Sequence, residues 1–191
     1  MKLKAGLASL AALSAAPAMA EVVVINFDTM ANNVFVNNYY SGGTDGRGNW
    51  GTIDRGVSFI GFITAPGVGA TSTPNYAYSN SPSSFINVSG GFSAFNFTYG
   101  TLSPATISVY SGLNGTGTLL GSGVFNGNAM AFQPGSIGFA GIGHSVMLTA
   151  RPNYAALDDV AFTYPAPIPE PQTWAMLLAG LLLTRFAARR R

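Results

Sequence analysis

The octapeptide FSAFNFTY at residues 92–99 decides the fold class of this 191-residue chain. From Phe95 onward its aromatic residues stand at every second position. Successive side chains of a β-strand point to opposite faces of the sheet, so such a run buries one face. The octapeptide therefore predicts a central strand with Phe95, Phe97 and Tyr99 on its buried face.

Short runs of Val, Ile, Phe and Tyr, punctuated by Gly, Asn, Ser and Thr, continue from residue 21 to residue 164. Turn residues recur about every ten positions, as in β-sandwiches and jelly rolls. We predict an all-β sandwich or jelly roll, with residues 106–125 as a hairpin and residues 40–56 and 65–84 as long loops that could carry binding groups. The predicted strands are residues 22–27, 34–39, 57–63, 92–99, 106–110, 119–125, 136–141, 146–150 and 157–164.

The N-terminal stretch has the features of an export signal. Lys2 and Lys4 precede an apolar run, and Ala18-Met19-Ala20 has the small-x-small pattern that signal peptidase accepts. We expect residues 1–20 to be a signal peptide that forms a helix and is cleaved between Ala20 and Glu21. An uncleaved N-terminal helix is the alternative.

The C-terminal stretch combines a proline-rich linker at residues 165–173 with an apolar helix and an arginine-rich end at residues 174–191. The positive-inside rule places the terminal arginines in the cytoplasm, so the bulk of the protein is expected across the membrane. The uncharged part, residues 174–184, would reach only about 17 Å of a hydrocarbon layer of roughly 30 Å. A transmembrane helix is predicted here, but as a permanent anchor it would be marginal.

The order Pro169-Glu170-Pro171, spacer, apolar helix and arginines resembles the PEP-CTERM sorting tail of Gram-negative bacterial envelope proteins. The resemblance implies that an exosortase, a membrane-bound transpeptidase-like enzyme, recognises Pro-Glu-Pro and removes the tail after a transient stay in the inner membrane. Ile168 stands where the family usually has Val, and Arg185 interrupts the apolar part. An ordinary tail anchor or a chance hydrophobic end is the alternative.

The middle of the chain, residues 21–164, resembles the β-sandwich ectodomains of such proteins, which have a galactose-binding-like jelly-roll outline. Three stretches carry this resemblance: residues 26–28, the hairpin at residues 110–117 and the closing residues 157–162. It implies an exported protein of the cell surface or extracellular matrix, with a structural or adhesive role in exopolysaccharide or biofilm.

Charge argues against a nucleic-acid partner. The whole chain has a formal charge of +2, but between residues 21 and 164 three arginines stand against six acidic residues, a net charge of −3. The basic residues concentrate in the two processed ends, and the mature protein is mildly acidic. Cysteine is absent, so stability must come from the core, with a metal as the other available source.

Asp28, Asp158 and Asp159 are the candidate metal ligands. If the first and last strands are neighbours, Asp28 approaches Asp158 or Asp159, and the carboxylates could bind a structural calcium ion together with main-chain carbonyls. Adjacent strand residues point to opposite faces, so Asp158 and Asp159 reach one site only if a bulge intervenes. Carboxylates that form caps or turns are the alternative.

Trp50 is the candidate ligand platform, in the loop sequence DGRGNWG at residues 45–51. A flat aromatic ring can stack on the apolar face of a sugar while Arg47, Asn49 or Asp45 bonds the hydroxyls. The sequence therefore supports a carbohydrate-binding module that binds extracellular polysaccharide. A Trp50 buried as a plug of the loop is the alternative.

Catalysis finds little support in the sequence. His144 is the only histidine, it lies among glycines where a solvent-facing turn is expected, and no Gly-x-Ser-x-Gly motif is present. We expect a non-enzymatic protein, with a secreted hydrolase that uses His144 or the aspartates as a third hypothesis.

Overall fold

The structure, a computed structural model, describes residues 19–67 and 69–166 together with residues 178, 180 and 181. Eleven strands occur in these residues, all of them within the unit Ala20–Pro165. They are β1 (Val22–Ile25), β2 (Val57–Ile60), β3 (Phe62–Pro66), β4 (Asn75–Ser79), β5 (Ser83–Phe92), β6 (Ala94–Thr101), β7 (Ala105–Tyr110), β8 (Leu119–Phe125), β9 (Gln133–Ile137), β10 (Gly143–Thr149) and β11 (Ala155–Thr163).

The strands form two antiparallel sheets, which confirms the predicted all-β sandwich. The first sheet has the order β3-β4-β11-β6-β9, with β1 also paired to β11, and the second has the order β2-β5-β10-β7-β8. β1 pairs with β11 from Val22 opposite Thr163 to Ile25 opposite Val160. The first and last strands are therefore neighbours, as expected, and the predicted hairpin forms from β7 and β8.

The FSAFNFTY run spans a corner rather than a single strand. Phe92 ends β5 in the second sheet, and β6 in the first sheet begins two residues later at Ala94. Phe92 and Phe95 are both fully buried, and their ring centroids are 6.1 Å apart between the sheets. Phe97 is buried beyond them, as predicted, while Tyr99 is half-buried. The stretch decides the fold because it crosses from one layer to the other.

Gly61 makes a second corner, so the predicted strand 57–63 is two strands in two sheets. The residue has a φ of 76°, a conformation that glycine adopts without penalty. It lies between β2 and β3, and a Cβ there would meet Ser84 Oγ at 2.7 Å. The sequence analysis read one strand here because the apolar run continues across Gly61, although the buried positions shift from Val57 and Phe59 to Phe62 and Thr64.

The strand predicted at residues 34–39 is wrong, because this segment runs along an edge strand of each sheet in turn. Val36 N donates to Phe62 O of β3 at 3.1 Å, whereas Phe59 N of β2 donates to Asn37 O at 2.8 Å. Asn37 has a φ of 46°, which interrupts regular pairing between the two contacts. One segment thus covers two sheet edges that would otherwise be open to a further strand.

The predicted loop at residues 65–84 contains β4, which the sequence analysis missed. The inward positions of this strand are Asn75, Ala77 and Ser79, all fully buried. Asn75 Nδ2 donates to Met30 O at 2.6 Å and Ser79 Oγ to Ser81 O at 2.8 Å, whereas the buried Asn75 Oδ1 has no hydrogen-bond partner among the described residues. The buried side chains of β4 are polar or small, so the strand has no alternating hydrophobic pattern by which the sequence could predict it.

Phenylalanine rings fill the space between the sheets. Phe162 of β11 stacks on Phe95 with centroids 5.2 Å apart and meets Phe92 edge-on at 5.0 Å. Full burial of each such ring is worth about 1.5–3 kcal/mol relative to exposure. In a chain without cysteine, this aromatic core is the main source of stability.

The processed ends predicted from the sequence fall outside the described residues. This holds for the signal helix, for the sorting motif Pro169-Glu170-Pro171 and for most of the apolar helix. Leu178, Gly180 and Leu181 are described, and they are helical and exposed. Within the described part of the chain, no helix has the length and apolarity needed to cross a membrane.

Candidate functional site

Residues 43–51 form a small hairpin, here called the Trp50 hairpin. Thr44 and Trp50 face each other as an antiparallel bridge, and Asp45 N donates to Asn49 O at 2.9 Å. Gly51 N donates to Gly43 O at 3.0 Å at the open end. Main-chain bonds on both sides therefore fix the position of Trp50.

The carboxylate of Asp45 organises the tip of this hairpin. It is buried and accepts hydrogen bonds from Arg47 N at 2.8 Å, Asn49 N at 2.9 Å and Asn49 Nδ2 at 2.9 Å. Burial would raise the pKa of the Asp45 carboxyl, but the bonds from Asn49 and Arg47 outweigh it and hold the pKa below its usual value. Asp45 is thus an ionised hub that holds the loop together.

Arg47 ties the hairpin to the preceding chain segment. Its Nη2 atom lies 3.3 Å from Asn32 O and 3.5 Å from Asn33 O, and the side chain is otherwise exposed. The guanidinium has five N–H donors, so these two contacts leave others directed to solvent. Arg47 can still meet a ligand while it holds the loop.

Trp50 is 71% exposed, so the plug alternative is wrong. The structure brings all four predicted ligand-binding residues into one hairpin, but their side chains have different roles. Asp45 and Asn49 are bonded to each other and to the loop, which leaves the Trp50 ring and Arg47 to face outward. Ligand binding by this group stays a prediction.

A cleft that the sequence analysis did not find lies beside β1, here called the β1 cleft. Its volume is about 130 Å³. The lining residues include Val24 and Asn26 on the β1 side and Tyr39, Tyr40, Thr52 and Ile53 on the loop side. No sequence pattern marks it, because its two walls come from segments that only the fold brings together.

Among the described residues, no strand pairs with the edge of β1 that faces away from β11. Tyr164 N donates to Glu21 O at 2.7 Å, and the register continues from Val22 opposite Thr163. In an antiparallel ladder, alternate residues turn their main-chain groups to opposite sides. Val22 and Val24 therefore direct their N–H and C=O groups away from β11, and Val24 is one of the residues that line the β1 cleft.

Tyr40 contributes its ring to the cleft and has a buried hydroxyl. That hydroxyl has no hydrogen-bond partner among the residues that the structure describes. Burial raises the pKa of Tyr40, the neighbouring Thr29 hydroxyl offsets part of the effect, and the charge of Asp28 adds to it. The Tyr40 side chain is therefore neutral throughout the ordinary pH range.

Asp28 and Asp158 both hold the segment at residues 72–75. Ser72 N and Ser72 Oγ each donate to Asp158 Oδ2 at 3.0 Å, and Asn75 N donates to Asp28 Oδ1 at 2.9 Å. These are the bonds of turn-forming carboxylates, the alternative that the sequence left open.

A bulge separates Asp158 from Asp159, as a shared site would require. The pairing of β11 with β6 shifts between Asp158 and Ala161, and Asp159 has a φ of 45°. Asp158 is fully buried and Asp159 is half-buried. Over residues 19–67 and 69–166, no group of three or more His, Cys, Asp or Glu side chains could hold a metal ion. Calcium binding at Asp28, Asp158 and Asp159 stays a prediction without a preformed centre.

His144 lies on β10 and is half-buried, not in the solvent-facing turn that we expected. It packs against Gly91, where a Cβ would lie 3.1 Å from His144 Nε2. In the described part of the chain, no hydrogen bond joins His144 to a serine or an acidic side chain, as a Ser-His-Asp relay would require. The hydrolase hypothesis stays a prediction without an assembled relay.

Solved structures of three carbohydrate-active proteins are similar to this chain at low identity. A beta-1,3-glucan binding module, CBM6, from Bacillus halodurans is 13% identical over 56% of this chain and 89% of its own, with a TM-score of 0.43. A mutant of a family 29 carbohydrate binding module is 10% identical over 80% and 99%, with a TM-score of 0.44.

The third structure is a glycoside hydrolase family 43 arabinoxylan arabinofuranohydrolase from Bacillus subtilis. It is 16% identical over 54% of this chain and 24% of its own, with a TM-score of 0.41. This chain thus spans about a quarter of that hydrolase, and none of the three structures carries a site assignment over to it.

The C-terminal residues give a firmer comparison, with a family model rather than with solved structures. No curated protein matches the chain. The family model of the PEP-CTERM protein-sorting motif matches residues 167–191, which include Pro169, Glu170 and Pro171. The resemblance drawn from these residues is confirmed, and the chain carries a PEP-CTERM protein-sorting motif.

Proposed function

We propose that the protein is exported through the inner membrane of a Gram-negative bacterium, sorted by an exosortase-like enzyme and displayed at the cell surface or in the extracellular matrix. The displayed part is a non-catalytic β-sandwich of jelly-roll outline with a structural or adhesive role, and a calcium ion at its aspartates would serve stability alone. The match of residues 167–191 to the PEP-CTERM motif carries this proposal.

Intact-mass spectrometry of the secreted protein tests the processing step. We expect a mature chain that begins at Glu21 and lacks the apolar helix and arginines at residues 174–191. Both ends of the chain are expected to serve transport across the membrane. The C-terminal helix is too short to be a stable anchor, so it has no role once transport is complete.

A Glu170→Ala variant is the matched control, because it alters the sorting motif and leaves the sandwich unchanged. We expect this variant to keep residues 174–191, which intact-mass spectrometry detects as the added mass of the tail. A secreted parent protein that still carries Trp174 to Arg191 would contradict the proposal.

The second candidate function is polysaccharide binding by the Trp50 hairpin. The observation that favours it is the 71% exposure of Trp50 on a loop fixed by its own hydrogen bonds. The exposed indole presents a flat apolar face, and a sugar ring presents the flat C–H face that such a ring stacks on. Since the hairpin is already ordered, little conformational entropy is lost when a ligand binds.

A Trp50→Ala variant is expected to bind bacterial exopolysaccharide about tenfold more weakly, which corresponds to about 1.4 kcal/mol of lost stacking. Affinity electrophoresis in gels that contain the polysaccharide measures the change. Trp50→Phe keeps an aromatic face at the same position and is expected to retain most of the retardation. Equal retardation of the parent and the Trp50→Ala variant would remove this candidate.

A further inference from the structure

The β1 cleft has the size of a site for one small molecule. At about 130 Å³ it is well below the roughly 300–1,000 Å³ of pockets that enclose drug-sized ligands. An extended peptide added along β1 would need more room than this. A single six-membered ring that stays partly in solvent fits the space.

Apolar and polar groups alternate around the cleft. Ile53 is 53% exposed and Val24 is also exposed, so both offer apolar surface from opposite walls. Thr52 and Asn26 are exposed and bring side-chain donors and acceptors. Val24 adds the main-chain N–H and C=O groups of an unpaired strand edge. A molecule with C–H faces and a rim of hydroxyl groups matches this pattern.

We propose that the β1 cleft binds one sugar unit, with Ile53 against its C–H face and Thr52, Asn26 and the Val24 main chain on its hydroxyls. This deepens the polysaccharide proposal and rests on it. Thr52 follows Trp50 by two residues, so their Cα atoms are at most about 7 Å apart. A polymer stacked on Trp50 can place a chain end or a branch sugar in the cleft.

Ligand-observed and protein-observed NMR titrations with glucose, galactose, mannose, rhamnose and glucuronate test the proposal on the full chain. We expect at least one neutral sugar to shift the amide signals of Thr52 and Ile53. Thr52→Val removes one hydroxyl without changing the side-chain shape and is expected to weaken binding about threefold to tenfold.

Two exposed isoleucines give a matched pair of variants. Ile53→Ala is expected to weaken sugar binding several-fold, whereas Ile60→Ala, at a residue 48% exposed on β2, is expected to change nothing. Thermal melting confirms that both variants fold. Equal affinities of these two variants, or no shift at Thr52 and Ile53 with any neutral sugar, would overturn the cleft assignment.

The outcomes also separate this inference from the function on which it rests. If Trp50→Ala loses retention by polysaccharide while free sugars leave the cleft signals unmoved, the cleft assignment fails and the Trp50 function stands. If Trp50→Ala keeps full retention, the Trp50 function fails. Binding of free sugars that depends on Ile53 would then still support the cleft as a site of its own.

Discussion

A Gly51→Ala variant is expected to detach the Trp50 hairpin from the sandwich and to lower the free energy of unfolding by about 3 kcal/mol. A Cβ at this position would lie 1.7 Å from Tyr39 O and 2.7 Å from Tyr39 C, well inside any allowed contact. The carbonyl cannot turn aside alone, because Tyr39 is a buried core residue. The bond from Gly51 N to Gly43 O would be lost with the shift. Equilibrium unfolding in urea, followed by circular dichroism, measures the loss.

Gly48→Ala is the matched control in the same hairpin. Gly48 has a φ of 85°, but no atom lies within 4 Å of its added Cβ, so only the backbone strain of about 1 kcal/mol applies. We expect Gly51→Ala to reduce polysaccharide binding as strongly as Trp50→Ala, and Gly48→Ala to reduce it little. Equal stabilities of the two glycine variants would contradict the close packing of Gly51 on Tyr39.

The alternating runs predicted the layers of the fold because their buried side is hydrophobic. Residues 106–110 coincide with β7 except for its first residue. Residues 119–125 coincide with β8 although no residue of that strand is fully buried, so turn residues rather than burial indicated its ends. Phe95 and Phe97 lie on the buried face that their spacing indicates. Where the buried side chains of a strand are hydrophobic, the sequence is sufficient to predict the strand.

The errors arise where the chain changes sheets or buries polar groups. Only one residue, Gly61 or Ser93, lies between the adjoining strands at each passage, so the apolar run continues with its buried positions out of phase. Residues 34–39 contain apolar side chains but divide their hydrogen bonds between two sheets. In β4 the buried Asn75 and Ser79 make side-chain hydrogen bonds, to Met30 O and Ser81 O, where a hydrophobic strand would make apolar contacts. Such features depend on tertiary contacts that no local pattern encodes.

The sequence identified the residues of the candidate site but not the positions and exposure of their side chains. The DGRGNWG sequence singled out Trp50, Arg47, Asn49 and Asp45, and all four share one hairpin. The sequence could not predict whether Trp50 is buried, because its exposure depends on the hydrogen bonds that Asp45 accepts at the tip of the Trp50 hairpin. The β1 cleft had no signal, because residues 24–26 and residues 39–55 meet only after folding.

Asp158 predicts an unusual dependence of stability on pH. The side chain is 0% exposed, and burial raises its pKa from 3.8 to about 6, against the opposing hydrogen bonds from Ser72 and Asp159. The groups that act on this pKa include no basic side chain. The folded protein therefore holds a proton that the unfolded chain releases between about pH 4 and pH 6.

The contribution of Asp158 to the free energy of unfolding is expected to be full below about pH 4 and to be lost as the pH rises through about 6. Its size is on the order of 2 kcal/mol. This direction is opposite to that of Asp45, whose lowered pKa makes its contribution disappear as the pH falls. Urea unfolding at pH 4.0 and pH 7.5 measures the sum of these effects, so a variant is needed to separate them.

Asp158→Asn separates them, because the amide stays neutral at every pH and all other groups are unchanged. The amide has one acceptor oxygen for the N–H groups of Ser72 and Asp159, and this loss is nearly the same at both pH values. The stability of the parent relative to Asp158→Asn should therefore be higher at pH 4.0 than at pH 7.5, by on the order of 2 kcal/mol. Asp159→Asn, at the half-buried neighbour, should keep most of the parent's pH dependence. If the stability difference between the parent and the Asp158→Asn variant is flat or rises with pH, Asp158 is ionised in the fold without penalty, as a bound cation at this carboxylate would make it.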